Sequence, residues 1–462
     1  MEYDTVIIGA GMSGLAAGIR LAYFEKKVCI LERHYRAGGL SSFYRRKAYN
    51  IDVGLHAMTN YVPPKSGKST PLPKLLRQLR LQHEDFDLCQ QKMSVIRFPE
   101  KSLRFTNEFD YFVQEVNDNF PAQTDNFQKL IEEIFDYDEL ALDAKPISAR
   151  QVVSSIITDP LLVEMLFCPL MFYGSAQEND IEFGQFVIMF KGIYHEGFAR
   201  PQEGVRQVLD KLIGKYEEHG GELRLKCGVE KLRVANGRVE AVVLDNGEEL
   251  VADKVMSSAG YFETMRLLSD YNPSAQEENL GQISLNEFVM ILDKEPAELG
   301  YDTTITFYNN ADKFDYRKPA EPVDVSSGVI CCPNNFQLYK PLPEGMIRIT
   351  NMANYDLWSR LDEERYEAEK ARWLEKSINE VIKIVPDFRD SIIYTDVFTP
   401  KTIHKFTGHI NGAVYGAPNK TKMGTTHLEN LFICGTDQGF LGIIGSMLSG
   451  ISMANLHILQ KG

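Results

Sequence analysis

The first fifty residues alternate between short apolar runs and one helical pattern. Residues 3–8 form a β-branched run that predicts a buried parallel strand, and residues 27–31 predict a second strand of the same kind. Residues 15–23, which lie between them, carry a helical pattern. This order predicts a βαβ unit and therefore an α/β fold built on a parallel sheet.

Two later regions have different patterns. Residues 66–200 lose the strand–helix alternation and hold long helical stretches rich in aromatic and acidic residues, which predicts a mostly helical insertion. Residues 271–394 contain four β-like segments and a helix at 362–385. The second region predicts a mixed sheet with helices over one face, as part of an α+β domain.

The region between these two returns to an alternating architecture. Residues 205–218 predict a helix, and residues 223–225 predict a short strand. Two alternating strands follow, with Asn-Gly turns at 236–237 and 246–247. Asn-Gly between alternating hydrophobic runs is a strong hairpin signal.

Two apolar stretches raise the question of a membrane span. Residues 159–176 are interrupted by Glu164 and Pro169, so they predict either a buried helix pair or the wall of an apolar substrate channel. Residues 432–459 contain Asp437 as their sole formally charged residue. Their glycine-rich pattern predicts a strand, a turn and a buried helix, because a turn inside hydrocarbon would leave backbone groups unpaired.

Charge and cysteine content narrow the class of protein. The net charge of −14 and the pI near 5.3 argue against a nucleic-acid partner, which needs a basic surface. The seven cysteines are scattered without metal-site spacing, so no metal site is expected and the chain is predicted to be cytoplasmic. No export signal is recognisable at the N-terminus.

The turn after the first strand carries the most specific motif in the chain. Gly9, Gly11 and Gly14 form G-x-G-x-x-G between strand and helix. Gly9 permits a tight turn, Gly11 permits close approach of a pyrophosphate, and Gly14 permits close packing of helix and strand. Glu32 lies near the spacing at which a carboxylate binds a ribose 2′-hydroxyl. The motif predicts a dinucleotide and disfavours NADP.

A family resemblance in the next residues favours a flavin over a nicotinamide as the cofactor. Glu32 and Arg33, followed by the doublet Gly38-Gly39 and by Asp-Val-Gly-Leu-His at 52–56, resemble the extended FAD signature of the flavin amine oxidase and phytoene desaturase superfamily. The glycine doublet would let the loop lie against the cofactor. No second G-x-G-x-x-G follows, so no separate NAD(P)H domain is expected.

Two later segments resemble further FAD elements of that superfamily. Val229 matches a position against the adenine, and Gly260 matches one near the pyrophosphate. In the closing segment, Gly435, Asp437 and Gly442 match a strand, turn and helix whose N-terminus faces the flavin and favours negative charge there. Thr436 departs from the common spacing, so Asp437 is either a ligand of the ribityl chain or the cap of the helix.

The resemblance implies a Rossmann-like FAD-binding domain, interleaved with an α+β substrate domain. The FAD domain is assigned to 1–65, 201–270 and 395–462, and the substrate domain to 66–200 and 271–394. No cysteine lies in an attachment motif, so FAD is expected to bind non-covalently. The candidate cofactor contacts are Gly9, Gly11, Met12, Ser13, Gly14, Glu32, Arg33, Gly38, Gly39, Leu40, Ser41, Val229, Gly260, Gly435, Asp437, Gly442, Ile443 and Ile444.

The "GLH" after Asp52 and the ending "GIIGSMLSG" resemble the phytoene desaturase, carotenoid isomerase and retinol saturase branch. This resemblance implies an oxidoreductase that acts on a long apolar polyene or isoprenoid, by desaturation, redox-neutral isomerisation or saturation. His56 is the candidate for handling a proton, and a core histidine is the alternative. Two alternatives to a polyene oxidoreductase remain. The first is a flavin amine oxidase that acts on a small polar amine, with Tyr415 facing the flavin ring. The second is a non-enzymatic protein that uses FAD as a scaffold.

An apolar substrate of this kind implies contact with a membrane surface. Peripheral association, at the inner membrane, is expected through an exposed apolar patch of the helical insertion at residues 161–172.

Overall fold

A computed structural model describes residues 2–54, 56–64, 70–139, 141, 145–269 and 279–460. Leu55, the fourth residue of the 52–56 motif, lies outside the described residues. The strands, in chain order, are β1 Glu2–Ile8, β2 Val28–Glu32, β3 Phe43–Arg46, β4 Tyr49–Asp52, β5 Leu88–Gln90, β6 Ser94–Arg97, β7 Ser102–Phe105, β8 Ala199–Pro201, β9 Glu222–Leu225, β10 Val229–Ala235, β11 Arg238–Leu244, β12 Glu249–Ser257, β13 Ser284–Leu292, β14 Ile305–Asn309, β15 Val323–Cys331, β16 Gly345–Ala353, β17 Ile392–Phe398 and β18 Leu431–Ile433.

Helices connect and cover these strands. The α-helices are α1 Met12–Tyr23, α2 Pro71–Leu79, α3 His83–Phe86, α4 Phe109–Asn119, α5 Thr124–Asp136, α6 Ala149–Ile156, α7 Pro160–Gly174, α8 Phe183–Phe190, α9 Val205–Glu218, α10 Tyr261–Met265, α11 Tyr355–Ser359, α12 Glu363–Val381, α13 Pro400–Thr407 and α14 Gly442–Ala454. Two π-helical turns, Lys191–Glu196 and Asn455–Leu459, extend α8 and α14.

The first sheet has a parallel core in the order β9-β2-β1-β12-β18. Every residue of β2 and β18 is buried, as a parallel strand covered on both faces requires. Helices α1, α9 and α14 cover one face, where Tyr216 donates a hydrogen bond to the carbonyl of Val28 at 2.8 Å. The predicted α/β fold with its parallel sheet is confirmed.

The antiparallel extension of this sheet also follows the sequence pattern. β10, β11 and β12 form a meander with turns at the two predicted Asn-Gly pairs. Side chains of this meander, among them Leu232, Val239 and Leu244, share a core with Val6 and Leu31 on the second face of the parallel strands. The apolar alternation of the meander therefore buries one of its sides against the parallel sheet.

The second sheet is mixed, in the order β17-β13-β16-β15-β14-β6-β7. α12 packs against it through Trp373, Ile378 and Val381. The expectation of helices over a single face was wrong, because α4–α8 share a core with strands β6, β7, β14 and β15 of the same sheet. The helical insertion thus closes the sheet on a second side.

The region 66–200 is less uniformly helical than its pattern predicted. Strands β6 and β7 form there, and β6 pairs in parallel with β14, far away in the sequence. In addition, β17 crosses the domain boundary predicted at 394 and belongs to the second sheet. We propose the two sheets as the centres of two domains, with β6, β7 and all of β17 in the substrate domain.

Helix α7 corrects one expectation about the surface. It is a single helix that continues through Pro169, not a helix pair, and its residues from Leu162 to Phe172 are almost all buried. The side chains contact α8 and the second sheet. Residues 161–172 therefore form no exposed apolar patch, and the predicted membrane-binding patch at this position was wrong.

The closing segment has the predicted strand, turn and helix. Within the described part of the chain, Gly442–Leu459 is the one helix long and apolar enough to cross a membrane, and 44% of it is buried inside the structure. A β-carbon on Gly450 would lie 2.0 Å from the carbonyl oxygen of Ser13 in α1. This close approach makes α14 part of the core under the first sheet.

Candidate functional site

The parallel strands of the first sheet end at one edge, where the following residues surround a cavity of about 740 Å³. Gly9 and Gly11 follow β1, Arg33 follows β2, and Ser258 follows β12. All four residues line the cavity. The carboxyl edge of a parallel sheet is where doubly wound α/β proteins bind their ligands.

The three motif glycines have separate structural reasons. Gly9 has a φ of +94°, which a residue with a side chain rarely adopts. A β-carbon on Gly14 would lie 2.1 Å from the carbonyl oxygen of Gly9, whereas one on Gly11 would meet no atom within 4 Å. Gly11 is therefore not needed for packing within the chain, and the open space above it fits a ligand that approaches the backbone.

Helix α1 begins at this open space. Gly11 is its N-cap, and no side chain caps the helix. The first backbone N–H groups, which Met12, Ser13 and Gly14 provide, therefore lack a side-chain acceptor. Free N–H groups and the helix dipole together favour a phosphate at this position.

Glu32, at the end of β2, is buried and accepts two backbone hydrogen bonds. Its Oε2 accepts from the N–H of Ala10 at 2.9 Å, and its Oε1 accepts from the N–H of His34 at 2.8 Å. The carboxylate thus holds the glycine-rich turn against the end of β2. Each carboxylate oxygen retains a further lone pair, so Glu32 can also accept a ribose hydroxyl.

The Gly-Gly doublet lies directly beside the glycine-rich turn. Gly38 donates its N–H to the carbonyl of Ala10 at 2.8 Å and has a φ of +112°. A β-carbon on Gly39 would lie 3.6 Å from the α-carbon of Gly11. The doublet begins the short helical turn that contains Leu40 and Ser41, and Leu40 lines the cavity.

Arg33 lies at the exposed rim of the cavity and contacts a different element. Its Nη2 donates to the carbonyl of Lys405 in α13 at 2.8 Å. Val229, at the start of β10, lines the cavity as well. Gly260 has a φ of +107° and a β-carbon there would meet the carboxylate of Glu263.

One partly buried ion pair at this cavity could not be predicted from the sequence, because its partners lie far apart in the chain. His409 Nδ1 is 3.6 Å from Oε1 of Glu263, which also accepts the N–H of Ile410 at 2.8 Å. Burial lowers the pKa of His409, but the hydrogen bond and charge of Glu263 outweigh burial and raise that pKa overall. Glu263 therefore favours the positively charged form of His409 beside the dinucleotide cavity.

Asp437 does not cap α14. The N-cap of that helix is Leu441, and no side chain caps it. Asp437 is buried, its Oδ2 accepts the N–H of Tyr261 at 2.6 Å, and its Oδ1 accepts the N–H of Ala417 at 2.8 Å. The carboxylate therefore joins three loops, and the cap alternative was wrong.

The first turn of α14 presents backbone groups, rather than side chains, to a ligand. Gly442 has a φ of +73°, and a β-carbon there would lie 3.8 Å from the hydroxyl of Thr59. The side chains of Ile443 and Ile444 are buried in the core shared with α1. Gly435 has a φ of +85°, and its N–H donates to the hydroxyl of Ser449 at 2.8 Å. What Gly442, Ile443 and Ile444 can present to a ligand is the N-terminal turn of a helix.

His56 lies beyond the lining of this cavity, next to the second sheet. Its Nε2 hydrogen-bonds the hydroxyl of Thr350 in β16 at 2.8 Å, and its Nδ1 is buried without a hydrogen-bond partner among the described residues. Burial, and then the charges of Arg348 and Arg200, lower its pKa well below the ordinary value. His56 is therefore neutral at physiological pH.

A buried network of charges explains this field around His56. Arg348 pairs with Glu287 and donates to the carbonyl of Asp52 at 2.9 Å, while Arg200 pairs with the carboxylate of Asp52. The second oxygen of Asp52 accepts the N–H of Val205 at 3.2 Å. The network ties the 52–56 motif to β13, β16 and α9. Asp52 of this motif thus has structural partners that its sequence context did not reveal.

A second cavity, of about 410 Å³, lies between the helical insertion and the closing segment. Gly174, Ile188 and Phe440 contribute apolar lining, and Gln185 and Lys420 contribute polar lining. Tyr415 is not part of this lining; its hydroxyl donates to the carbonyl of Phe172 at the end of α7. The cavity is thus bordered by both predicted domains.

A parallel sheet covered by helices on one face and by the meander on the other, with a dinucleotide-type turn of open backbone at its carboxyl edge, defines a dinucleotide-binding α/β protein. Comparison with known proteins narrows the class. The model of the family described as flavin containing amine oxidoreductase matches residues 12–325. The chain belongs to this family and is an FAD-dependent oxidoreductase, and the predicted superfamily resemblance is confirmed.

Among its relatives, prolycopene isomerase 2 from an Oncidium hybrid cultivar is 24% identical, over 98% of this chain and 83% of the relative. An all-trans-retinol 13,14-reductase from Danio rerio is 23% identical, over 99% of this chain and 87% of the relative. Both alignments cover the FAD segments and the substrate region.

Solved structures have the same fold. An oxidoreductase from Methanosarcina mazei superposes with a TM-score of 0.69 at 16% identity, over 98% of this chain and 100% of that one. Putrescine oxidase bound to putrescine superposes with a TM-score of 0.65 at 16% identity, over the full length of both chains.

Proposed function

We propose that this FAD-dependent oxidoreductase acts on a long apolar polyene or isoprenoid. The observation that carries the proposal is the second cavity, whose lining combines apolar side chains, such as Ile188 and Phe440, with two lysines. Among the described residues that line it, each carboxylate has a basic partner. Glu139 pairs with Lys191 at 2.9 Å, and Glu182 lies 3.7 Å from Lys422. The relatives named for prolycopene and for retinol support the same substrate class.

The rival substrate, a small protonated amine, suits this cavity poorly. An ammonium group needs a free carboxylate or an aromatic cage for binding. Lys420 and Lys422 both line the cavity, and their positive charges oppose a cation. The likeness to putrescine oxidase concerns the fold and does not extend to these residues.

The proposed cofactor contacts follow from the first cavity. The open backbone at Gly11 and the uncapped start of α1 would hold the pyrophosphate, and Glu32 would accept the adenosine ribose. Val229 would lie against the adenine, and Gly38 to Ser41 and Gly442 to Ile444 would offer backbone to the flavin half. We propose non-covalent binding, because six of the seven cysteines are buried and Cys227 lies on the adenine side with Val229.

FAD supplies the exchange of a hydride with carbon, and the chain supplies binding and orientation. Neutral His56 can hold or release a proton at Nδ1, the nitrogen that has no partner among the described residues. Thr350 fixes the ring through Nε2. Burial, and then the charges of Arg348 and Arg200, lower the pKa of His56 and keep the ring uncharged.

The test is anaerobic incubation of the flavin-loaded protein with phytoene, a poly-cis carotene and a set of simple amines. Bleaching of oxidised flavin by phytoene supports desaturation, and isomerisation of the poly-cis carotene by pre-reduced flavin without net electron transfer supports an isomerase. Loss of a double bond with oxidation of pre-reduced flavin supports a saturase. Bleaching by amines alone would contradict the proposal.

A membrane surface is the source proposed for such a substrate. With residues 161–172 buried, two exposed apolar side chains lie at the second cavity: Met423, 44% exposed, lines it, and Ile147, also 44% exposed, follows the lining residue Pro146. We propose peripheral binding there, on the cytoplasmic side. Flotation with neutral liposomes should retain the wild type and release a variant with Ile147→Ser and Met423→Ser; equal flotation of both would contradict this surface.

A further inference from the structure

The second cavity contains polar groups that a pure hydrocarbon cannot satisfy. Gln185 and Gln438 line it, and their side chains are 7% and 1% exposed. The Nε2 of Gln185, a donor, is buried without a hydrogen-bond partner among the described residues, and the Oε1 of Gln438 is a buried acceptor that a carboxylate does not satisfy. Buried polar atoms are normally paired, so partnerless ones in a cavity wall point to a ligand.

Lys420 adds a positive charge to the same wall. Its amine donates to the carbonyl of Tyr415 at 2.5 Å and lies 3.9 Å from Oδ1 of Asp437. Both oxygens of Asp437 already accept backbone N–H groups, so Asp437 compensates the ammonium only in part. An ammonium has three N–H donors, and the second and third are available to an acceptor.

Resting on the proposed function, we propose that the substrate carries an anionic oxygen end group, a terminal carboxylate, which Lys420 and Gln185 bind in this cavity. The two donors match the two oxygens of a carboxylate, and the apolar lining from Ile188 and Phe440 takes the adjoining carbon chain. The other charged groups that line the cavity are Glu139, Glu182 and Lys422. Each of these two carboxylates has a basic partner, which limits its repulsion of the ligand.

The proposal predicts a dependence on pH. Burial lowers the pKa of Lys420 to about 8, and the charge of Asp437 partly opposes this shift. The ammonium that attracts a carboxylate is therefore present at pH 7 and mostly lost at pH 9, while a carboxylate ligand stays ionised throughout.

The test uses three ligands with one polyene chain: retinoic acid, retinol and the corresponding hydrocarbon. Their dissociation constants are measured with the FAD-loaded protein by quenching of its intrinsic fluorescence. We expect the acid to bind at least tenfold more tightly than the alcohol or the hydrocarbon at pH 7, and to lose most of that advantage at pH 9. Equal affinity of the three ligands would overturn the inference and leave the proposed function standing; no binding of any polyene would overturn both.

Variants separate charge from packing. Lys420→Met should remove the acid's advantage while the affinity for the hydrocarbon stays unchanged, and Lys420→Arg should restore that advantage. Gln185→Leu should weaken binding of the acid in part, because it removes the second donor while the charge of Lys420 remains. Lys383→Met, at an exposed lysine that follows the end of α12 and does not line the second cavity, is the matched control and should change nothing. Retention of the acid's advantage in Lys420→Met would contradict the inference.

Discussion

A β-carbon on Gly14 would lie 2.1 Å from the carbonyl oxygen of Gly9, which is the closest approach of α1 to the turn that precedes it. Gly11, between them, has open space above its backbone and an ordinary φ of −70°. The two glycines therefore serve different purposes: Gly14 serves packing, and Gly11 serves a ligand. A pair of variants can separate these purposes.

Gly11→Ala should fold with unchanged stability but lose at least about tenfold in FAD affinity, because its methyl group occupies the space that the pyrophosphate needs. Gly14→Ala should instead destabilise the apoprotein, by about 1–3 kcal/mol, since its clash is with backbone. Titration with FAD and urea unfolding of the apoprotein measure the two effects. Gly214→Ala, at an open position in α9, is the control and should raise stability by about 0.5–1 kcal/mol. An unstable Gly11→Ala variant would contradict the distinction.

Gly450→Ala should destabilise the protein by about 1–3 kcal/mol or more, because the added carbon would lie 2.0 Å from the backbone of Ser13. Thermal unfolding measures the loss. Ser446→Ala, at a partly exposed position of the same helix, is the control and should stay within about 0.5 kcal/mol of the wild type. If both variants unfolded like the wild type, α14 would not be a core helix.

The sequence predicted the elements whose contacts are local. β1 and β2 lie within one residue of the predicted positions, α1 begins three residues before the predicted helix, and the meander turns at the predicted Asn-Gly pairs, since glycine spacing and Asn-Gly turns act over a few residues. The glycines and Glu32 were placed for the same reason. The strand β6 was missed, because its pairing with β14 depends on residues about 210 positions away, as the hydrogen bond from the N–H of Lys92 to the hydroxyl of Thr304 illustrates.

The parts of the site that were missed are charges whose partners come from distant segments. Glu263 with His409, and Arg348 with Glu287, have no pattern along the chain. Their pairing results from the arrangement of the two sheets. A motif such as residues 52–56 shows where chemistry is expected, but the field around His56 depends on Arg200 and Arg348, which only the fold brings near.

Arg348→Met should cost about 3–5 kcal/mol of unfolding free energy, because it leaves Glu287 buried without its cation. Burial already raises the pKa of Glu287 against the opposing charge of Arg348. Without the arginine, the pKa of Glu287 in the folded state rises further. The native state then binds a proton more readily than the unfolded chain does, so the stability of the variant falls as pH rises above about 4. The loss measured by urea unfolding should therefore be smaller at pH 5 than at pH 7.5.

Two variants check this explanation. Combining Arg348→Met with Glu287→Leu should recover most of the loss, since no buried charge remains unpaired. Arg389→Met, which breaks an exposed pair with Asp387, should leave the stability unchanged, because solvent screens exposed ion pairs. A double variant as unstable as the single one would show that packing of Arg348, and not its charge, is what matters.

His56 and His409 should affect the pH dependence of stability in opposite directions. The pKa of His56 is lowered in the folded state, by burial and by Arg348 and Arg200, so below pH 6.5 the unfolded chain binds a proton that the native state resists. Stability is then lost as pH falls, by up to about 2 kcal/mol at pH 5 from this group. His56→Gln should remove that loss.

The pKa of His409 is raised because Glu263 outweighs burial, so its stabilisation is fully present below pH 6.5 and is lost as pH rises through the folded pKa. His409→Gln should therefore make the protein more sensitive to acid than the wild type, while His56→Gln makes it less sensitive. Urea unfolding of the three proteins between pH 5 and pH 7.5 measures both differences, and variants that shift in the same direction would contradict the assigned charge of one of the two histidines.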